Sequence, residues 1–473
     1  MAEGKIIVLA HRVSEAFTRF GYEPSITFKD GVEQFYKWQK AKSSLSLRIT
    51  NHSYFPMDYS DKLVIRPSRL EGEIQISGAK NSALRLLAAS ILSSEDIVLE
   101  NYPASLLDAQ VHVEMLQCLG KQSVVDGESI RISESAGLLD TLNYEGRSIR
   151  NTLLVLGALT TRLGRGSVPL PGGCKLGERK YDIHVMLLER LGARVWEEGE
   201  MLLAEAPKGG LVGTDIHLPI RSTGATENAI LCGTLAKGTT RVWNPHIRPE
   251  ILDLIALLRK MGAKIEVRGQ ESIIIEGVES LSSASHAVMP DNIEALTWLV
   301  GAVITGGDVM LHAFPFEHLE VPLVHLRESG VVLYRHENTA IVRGGNTYPI
   351  EISTGPYPGI NSDMQPLLAV LGAVAKGQSH IIDLRFPGRY GYMDELAKMG
   401  VQFEVKENLL RIDGGASLTG TAVNALDLRA GAALMLAGMI AEGETVIENA
   451  WQVGRGYSQL KGKLASLNVG FGV

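Results

Sequence analysis

The sequence predicts an α/β (α+β) fold made of six copies of one module, and three observations support this prediction. A helix-like stretch ends at a small-residue stop every 68 to 72 residues along most of the chain. A separate run of about twelve mostly apolar residues, too long for a strand, opens each copy. A turn and a β-rich segment, such as 240–243, follow that run. Six such copies group naturally as three plus three.

The stops set the period and the order of elements. Each places glycine, or asparagine in the last copy, where a helix ends in the left-handed conformation. The stops are Leu119-Gly120, Leu191-Gly192, Met261-Gly262, Ser329-Gly330, Met399-Gly400 and Leu467-Asn468. Each copy thus reads helix, strand, helix, strand, strand. The first helix is apolar nearly all round and is predicted to be buried, whereas the second is amphipathic.

The composition fits an ordinary globular protein. Of 473 residues, 45% are hydrophobic and 21% are charged, and the net charge of −7 gives no electrostatic footprint for nucleic acid. Three scattered cysteines predict neither a disulfide framework nor a metal site, and favour a reducing cytoplasm. The apolar piece near the start is too short for a signal peptide or a membrane span. We therefore expect a cytoplasmic protein without membrane or nucleic-acid partners.

The loop 170–179 contains the strongest candidate for a reactive side chain. Its proline and paired glycines predict an exposed loop. Cys174 lies within it, beside a lysine and close to Arg179, and nearby cations favour the thiolate. Cys118 and Cys232 lie in apolar helical runs, where a cysteine is expected to be buried.

Cationic residues recur at the starts of the predicted buried helices. Lys80, Arg150 and Arg429 occupy equivalent places in copies one, two and six, and Arg389 and Arg455 lie in short glycine-containing loops. A helix N-terminus attracts anions, and an arginine there adds a bidentate fork for phosphate or carboxylate. If the modules direct these ends into one cleft, that cleft is strongly positive within an acidic protein.

Further helix starts supply a base and an anion cradle. Asp363 is ordinarily interpreted as a cap, but in a cationic cleft it can take a proton from a hydroxyl. The stretch Ser222-Thr223-Gly224 offers backbone N–H groups that suit a diphosphate. Asp291 and Glu294 in copy four are interpreted as cap residues.

Residues 59–473 resemble the enolpyruvyl transferase family. The matching motifs follow the order and spacing of the family over nearly nine-tenths of the chain. They are Ser77-Gly78-Ala79-Lys80-Asn81, Pro171-Gly172-Gly173-Cys174, Gly177-x-Arg179-x-x-Asp182-x-His184, Ser222-x-Gly224-Ala225-Thr226, Ser362-Asp363-Met364-Gln365, Asp427-Leu428-Arg429-Ala430 and Arg455-Gly456-Tyr457. The resemblance implies a two-lobed inside-out α/β barrel built from six β-α-β-α-β-β repeats, whose helix N-termini face a cleft that closes over substrate.

The same resemblance implies the domain bounds. Residues 80–288 would form the first lobe, and 63–79 plus 289–473 would form the second. Residues 1–62 lie outside the repeat as an N-terminal extension of unknown role, rich in aromatic residues.

The resemblance also implies the roles of individual residues. The phosphate of phosphoenolpyruvate would be held by Lys80, Arg179 and Arg455, with Asn81, Arg389 and Arg429 in the same pocket. Cys174 would be the general acid, and Asp363 would orient and deprotonate the 3-hydroxyl of the acceptor. The acceptor pocket would be lined by Asn81, Arg150, Arg179, Lys180, Tyr181, Asp182, Ile183, Ile220, Arg221, Ser222, Thr223, Gly224, Asp363 and Arg385.

The implied reaction needs no metal or cofactor. An alcohol adds across an enol double bond and phosphate is then expelled, which requires an acid, a base and fixed positive charge. Arginines and lysines supply that charge, so neither a metal nor another cofactor is predicted. The resemblance further implies that fosfomycin, a phosphoenolpyruvate mimic, alkylates Cys174.

Several positions depart from the family pattern around the acceptor. They are Leu154, Lys180, Tyr181, Asn292, Pro387, Gly388 and Gly454. UDP-N-acetylglucosamine, the acceptor used in peptidoglycan synthesis for the cell wall, is the first candidate. UMP or a related nucleotide, as in nucleoside-antibiotic biosynthesis, is the alternative that the departures favour. An alternative from another class is a non-catalytic scaffold that binds anions, although binding alone requires neither an acid nor a base.

Overall fold

The computed structural model describes residues 61–147, 149–171 and 181–473. The described chain starts with two strands, β1 (Lys62–Ile65) and β2 (Glu71–Gln75). The elements that follow up to residue 288 are α1 (Lys80–Ala89), β3 (Ile97–Glu100), α2 (Leu107–Cys118), β4 (Lys121–Asp126), β5 (Ser129–Glu134), α3 (Thr152–Leu163), β6 (Arg165–Pro169), α4 (Asp182–Arg190), β7 (Arg194–Glu198), β8 (Met201–Glu205), β9 (Asp215–His217), α5 (Thr223–Leu235), β10 (Thr239–Trp243), α6 (Pro249–Lys260), β11 (Lys264–Arg268), β12 (Ser272–Glu276) and β13 (Ala284–Ala287).

The remaining elements repeat the same order of helices and strands. They are α7 (Asn292–Ile304), β14 (Asp308–His312), α8 (Glu320–Glu328), β15 (Val332–His336), β16 (Thr339–Arg343), β17 (Glu351–Ser353), α9 (Gln365–Val374), β18 (Gln378–Ile382), α10 (Tyr392–Lys398), β19 (Gln402–Lys406), β20 (Leu409–Asp413), β21 (Ala422–Asn424), α11 (Leu428–Ile440), β22 (Thr445–Glu448), α12 (Trp451–Gly454), α13 (Leu460–Ser466) and β23 (Phe471–Gly472). Short 3₁₀ turns lie at Ser90–Leu92 and Phe316–His318.

Each module contributes one small mixed sheet. In the first lobe the strand orders are β13-β3-β5-β4, β6-β8-β7 and β11-β12-β10-β9, and in the second they are β15-β16-β14-β2, β17-β18-β20-β19 and β21-β22-β1-β23. A parallel strand flanks the antiparallel strands in most of these sheets, for example β2 beside β14 and β9 beside β10. In β6-β8-β7 a parallel bridge between Thr141 and Ser167 takes this place.

The described residues form two hydrophobic cores, one for each lobe. One core draws on residues 83–288, and the other on residues 63–76 and 293–469. Helices such as α5, α7 and α11 are buried along nearly their whole length. The strands alternate buried and exposed side chains and lie outside the helices, as β11 illustrates. This is the two-lobed, inside-out arrangement that the sequence predicted, while the domain bounds stay a proposal.

The chain passes between the two lobes at two neighbouring places. β1 and β2 pair with β22 and β14 of the second lobe, and the chain then enters the first lobe at α1. It returns after β13, which pairs with β3. The two crossing segments are bonded to each other, because Ala79 N donates to Met289 O at 2.7 Å and Asp291 N donates to Ser77 O at 2.9 Å.

The predicted stops adopt the left-handed backbone conformation. The five glycines have φ between 89° and 110°, and Asn468 has φ of 56°. At Gly262, for example, the backbone N–H donates to the Arg259 carbonyl at 3.0 Å and closes the last turn of α6. Glycine tolerates this conformation because it lacks a Cβ, which explains why the sequence period marks the helix ends.

Candidate active site

The cationic residues that the repeat predicted lie at helix ends. Lys80 is the first residue of α1, Arg429 is the second residue of α11, and Arg455 directly follows α12. Asp363 lies two residues before α9. The Lys80 ammonium is within electrostatic range of the other three side chains, so the structure brings the four together. Burial lowers the pKa of Lys80, and the two arginines lower it further.

Asp363 is held between two arginines. Arg389 Nη1 donates to Oδ1 at 2.9 Å, and Arg429 Nε lies 3.7 Å from Oδ2. Arg389 also donates to Asp427, the residue that caps α11, at 3.2 Å. Burial alone would raise the pKa of the Asp363 carboxyl, but the two guanidinium groups outweigh it and hold the pKa well below its usual range. Asp363 is therefore ionised at neutral pH.

Asp108 belongs to the same cluster, although the sequence did not single it out. It is the second residue of α2, and only 3% of its surface is exposed. Its Oδ2 lies 3.4 Å from Lys80 Nζ, and its Oδ1 accepts from Arg455 Nε at 2.9 Å. Burial raises the pKa of the Asp108 carboxyl, but the two cations lower it more. In sequence, an acid in the first turn of a helix looks like an ordinary complement to the helix dipole.

Arg429 is fully buried, and the Asp363 carboxylate lies 3.7 Å from its Nε, beyond hydrogen-bond distance. Its charge lies 5.6 Å from the ring of Tyr457, whose hydroxyl is shared with Thr297 Oγ1 at 2.8 Å. The carboxylates of Asp363 and Asp291 balance the charge from a distance. Because a buried guanidinium with few hydrogen bonds is costly, its remaining N–H groups are well placed to receive an anion.

A second group of predicted residues surrounds the start of α5. Ser222 caps this helix by accepting a backbone N–H of the first turn at 3.4 Å. Thr223 Oγ1 lies 2.9 Å from Nδ1 of His246. A Cβ added to Gly224 would lie 3.2 Å from Nε2 of His184, so the close approach favours glycine at this position. The predicted cradle is therefore packed against two histidines.

Arg150 and Asp182 lie beside the same histidine. Burial lowers the pKa of His184 to about 4, Arg150 contributes to the lowering, and Asp182 opposes it. Asp182 and Ile183 open α4, directly beside the cradle at the start of α5. The structure therefore brings these predicted acceptor residues together in the first lobe.

Other predicted acceptor residues are more exposed. Asn81 is half-buried next to Lys80, and Ile220 is 47% exposed. Arg221 Nε donates to Asn244 Oδ1 at 3.4 Å.

Arg385 and Tyr181 have defined neighbours. Arg385 is exposed in the second lobe, and it lies close enough to His246 of the first lobe to contribute to the lowering of the His246 pKa, after burial and Arg248. The Tyr181 hydroxyl donates to Glu197 on β7. The remaining predicted site residues, Cys174, Arg179 and Lys180, lie outside the described residues.

One cysteine prediction was wrong. Cys232 is buried as expected, but Cys118 is exposed at the end of α2. The last turn of this helix leaves the core, because Met115 and Leu116 are buried whereas the two residues before the stop are not. Burial and the nearby Glu114 raise the pKa of the Cys118 thiol.

The interpretation of Glu294 as a cap was also wrong. Asp291 caps α7 by accepting from the backbone N–H groups of residues 293 and 294 at 2.8 and 2.9 Å. Glu294 is instead buried, accepts from Ser77 N at 2.9 Å and pairs with Lys463. Its carboxylate links the first crossing segment to α13.

No helix among the described residues combines the length and the apolar character that crossing a bilayer requires. In the same part of the chain, no set of three or more histidine, cysteine or acidic side chains is arranged to hold a metal ion.

The family model for EPSP synthase (3-phosphoshikimate 1-carboxyvinyltransferase) matches residues 64–464. The chain belongs to this family of enolpyruvyl transferases. Among its relatives, a UDP-N-acetylglucosamine 1-carboxyvinyltransferase 1 of Caldanaerobacter subterraneus is 39% identical over 408 residues, covering 86% of this chain and 98% of the relative. A UDP-N-acetylglucosamine 1-carboxyvinyltransferase of Novosphingobium aromaticivorans is 38% identical over 421 residues, covering 86% and 97%.

Solved structures of enolpyruvyl transferases share the fold. The enolpyruvyl transferase NikO from Streptomyces tendae superposes with a TM-score of 0.79 at 27% identity, covering 87% of this chain and 98% of NikO. EPSP synthase from Acinetobacter baumannii superposes with a TM-score of 0.69 at 19% identity, covering 87% and 100%, and supports the fold alone. The family and the fold class predicted from the sequence are thus confirmed.

Proposed function

We propose that this enolpyruvyl transferase moves the enolpyruvyl group of phosphoenolpyruvate to the 3-hydroxyl of UDP-N-acetylglucosamine and releases phosphate. One observation carries the proposal: where the two lobes meet, a buried cluster of cations surrounds the ionised carboxylate of Asp363. The names of relatives with 38–40% identity support the choice of acceptor. The reaction would use small molecules in the cytosol and contribute to peptidoglycan synthesis.

The donor would lie among the cations. Phosphoenolpyruvate carries a phosphate and a carboxylate, and such groups prefer guanidinium and ammonium partners. Lys80 and Arg455 are proposed to bind the phosphate, together with Arg179. Arg429 and Arg389, which both lie against Asp363, are proposed to balance the carboxylate.

The chemistry would proceed by addition and elimination. Asp363 takes the proton of the acceptor hydroxyl while the oxygen bonds to C2 of the donor, and Cys174 gives a proton to C3. Loss of a proton from C3 then restores the double bond as the C2–O bond to phosphate breaks. The cationic groups stabilise the charge that develops on the leaving phosphate.

Asp363 would gain basicity as the donor binds. In the described structure Arg389 and Arg429 hold the pKa of its carboxyl low, which makes it a weak base. A donor carboxylate competes for the same guanidinium groups and therefore raises the pKa of Asp363. Donor binding would thus prepare the base for the hydroxyl.

UMP or a related nucleotide is the second candidate acceptor. The departures from the family pattern fall mainly around the acceptor positions, and NikO, a structural neighbour at 27% identity, is also an enolpyruvyl transferase. A repeat scaffold that binds anions without turnover is the remaining alternative. Anion binding requires cations but no ionised carboxylate among them, whereas the proposed reaction requires a base. The position of Asp363 therefore favours the enzyme over the scaffold.

Phosphate release tests these proposals directly. The purified full-length protein is incubated with phosphoenolpyruvate and, separately, UDP-N-acetylglucosamine, UMP or no acceptor. We expect phosphate with the sugar nucleotide. Phosphate with UMP alone would replace the proposed acceptor, and no phosphate with any uridine compound would favour the scaffold.

A further inference from the structure

His246 connects the two lobes at the start of α5. Its Nδ1 lies 2.9 Å from Thr223 Oγ1 in the same lobe, and its Nε2 accepts from the Tyr357 backbone N in the other lobe at 3.1 Å. Tyr357 lies six residues before Asp363, in the segment that leads to the proposed base. One imidazole therefore contacts both the proposed acceptor cradle and the segment that carries the base.

The directions of these hydrogen bonds follow from the backbone. An amide N–H can only donate, so Nε2 of His246 must accept from Tyr357, and the proton of the neutral ring lies on Nδ1. Burial lowers the pKa of His246 to about 4, and Arg248 and Arg385 contribute to the lowering, so the ring is neutral at neutral pH. Nδ1–H therefore donates to the oxygen of Thr223.

The Thr223 hydroxyl keeps its own proton for another acceptor. Other helical threonines donate to a carbonyl one turn earlier, as Thr226 does to Ser222 O and Thr234 does to Ile230 O, both at 2.8 Å. Thr223 is the first residue of α5, so no preceding helical turn offers it a carbonyl. Within the described residues, its hydroxyl oxygen has hydrogen-bond contact only with His246.

We propose that His246 is a positioning residue that turns Thr223 into a hydrogen-bond donor toward an anionic group of the acceptor when the lobes close. This inference rests on the proposed function, because it concerns the same acceptor site. When the lobes separate, the Tyr357 amide leaves Nε2, and the ring proton can move to that nitrogen. Thr223 can then donate to Nδ1 instead of to the ligand. Lobe closure thus fixes the direction of the whole hydrogen-bond chain.

The change Thr223→Val removes the hydroxyl and preserves the shape of the side chain. We expect the KM for the acceptor to rise about tenfold, because a hydrogen bond to a charged group is lost. The KM for phosphoenolpyruvate and the kcat at saturating acceptor should stay within about twofold. Thr223→Ser should restore the acceptor KM. The matched control is Thr339→Val, since Thr339 Oγ1 lies 3.1 Å from His312 Nδ1 on a sheet of the second lobe.

A double-mutant cycle tests the role of His246. His246→Ala should raise the acceptor KM, and adding it to Thr223→Val should cause little further rise, because both act through one hydrogen bond. Additive effects, or an acceptor KM of Thr223→Val equal to that of Thr339→Val, would overturn the inference. If His246→Ala does not fold, the valine and serine variants of Thr223 still decide.

Two readouts separate this inference from the proposed function. Phosphate release by the wild-type protein tests the function by itself. Calorimetric binding of UDP-N-acetylglucosamine and of UMP to wild type, Thr223→Val and Thr339→Val requires no turnover. Equal binding by all three proteins contradicts the inference even if phosphate is released, whereas weaker binding by Thr223→Val alone supports it even if none is.

Discussion

At the residue scale, Asp363 and Asp108 each neutralise cations that the proposed donor also needs. Asp363 contacts Arg389 and Arg429, and Asp108 contacts Lys80 and Arg455. Internal carboxylates keep these cations ionised and oriented in the absence of a ligand. An incoming anion then meets groups that are already in place, which reduces the reorganisation required.

Replacing the proposed base should abolish most turnover. For Asp363→Asn we expect kcat to fall by about 10²–10⁴, the range that general-base catalysis contributes, with a smaller change in donor affinity. Phosphate release under saturating substrates measures this. Asp308→Asn is the control, because Asp308 pairs with Arg343 at 3.4 Å on the exposed face of a sheet. Wild-type kcat in Asp363→Asn would remove this residue from the mechanism.

Replacing Asp108 should shift the pH dependence of donor use. Asp108 opposes the lowering of the Lys80 pKa by burial, so Asp108→Asn should lower that pKa further. The alkaline limb of kcat/KM for phosphoenolpyruvate, above which Lys80 is neutral, should therefore move to lower pH. Asp96→Asn, which breaks an exposed pair with Arg131, should leave the profile unchanged. An unshifted limb in Asp108→Asn would show that Lys80 does not set it.

The cationic site residues could be predicted from the sequence more easily than the residues that contact them. Lys80 and Arg429 recur at matched positions of a repeat, which made them visible in one sequence. Asp108 has no such signal, because its role depends on Arg455, which is 347 residues away along the chain. His246 was missed for a similar reason, since its contact with Tyr357 spans 111 residues.

At the element scale, the glycine stops decide where the amphipathic helices end. Gly262→Ala should destabilise the protein by about 1–2 kcal/mol, because φ at this position is 106° and an added Cβ would meet no atom within 4 Å, so conformation alone is tested. The matched control is Gly462→Ala inside α13, where the added Cβ also meets nothing within 4 Å. That change should stabilise by about 0.5–1 kcal/mol. Urea unfolding measures the change in the free energy of unfolding for each variant. Equal changes in the two variants would show that the backbone conformation at residue 262 does not require glycine.

The sequence predicted helices and stops better than it predicted strand partners. The length and polarity of an apolar run are local properties of the sequence, so α5, α7 and α11 could be recognised without knowledge of their tertiary contacts. That β1 and β2 complete sheets of the second lobe, beside β22 and β14, is a long-range result that local patterns do not contain.

At the scale of the whole molecule, buried histidines make stability depend on pH. Burial lowers the pKa of His112 to about 3 and of His184 and His246 to about 4. Below the ordinary histidine pKa of about 6.5, these histidines bind protons in the unfolded chain but stay neutral in the folded chain. Stability should therefore be full above about pH 6.5 and fall as the pH decreases toward 4.

Denaturant unfolding at pH 7.0 and 5.0 measures this loss. We expect a lower free energy of unfolding at pH 5.0, with an effect of order 1 kcal/mol or more from each buried histidine. His112→Asn, at a site where Nδ1 contacts Asn151 at 2.8 Å, should reduce the pH dependence even if it lowers stability at both pH values. Equal stability of the wild-type protein at the two pH values would contradict the burial of neutral histidines.

The two crossing segments are the only covalent connections between the two lobes within the described residues 61–147, 149–171 and 181–473, so any rotation of one lobe relative to the other would centre on them. Lys80 follows the first crossing directly, and its backbone N–H is tied to Asp291 on the second at 3.1 Å. A side chain next to these crossings would be displaced little if one lobe rotated relative to the other. We therefore expect Lys80 to keep its position if the lobes rotate about these crossings, whereas Arg389, Arg429 and Arg455 of the second lobe would move relative to the first lobe.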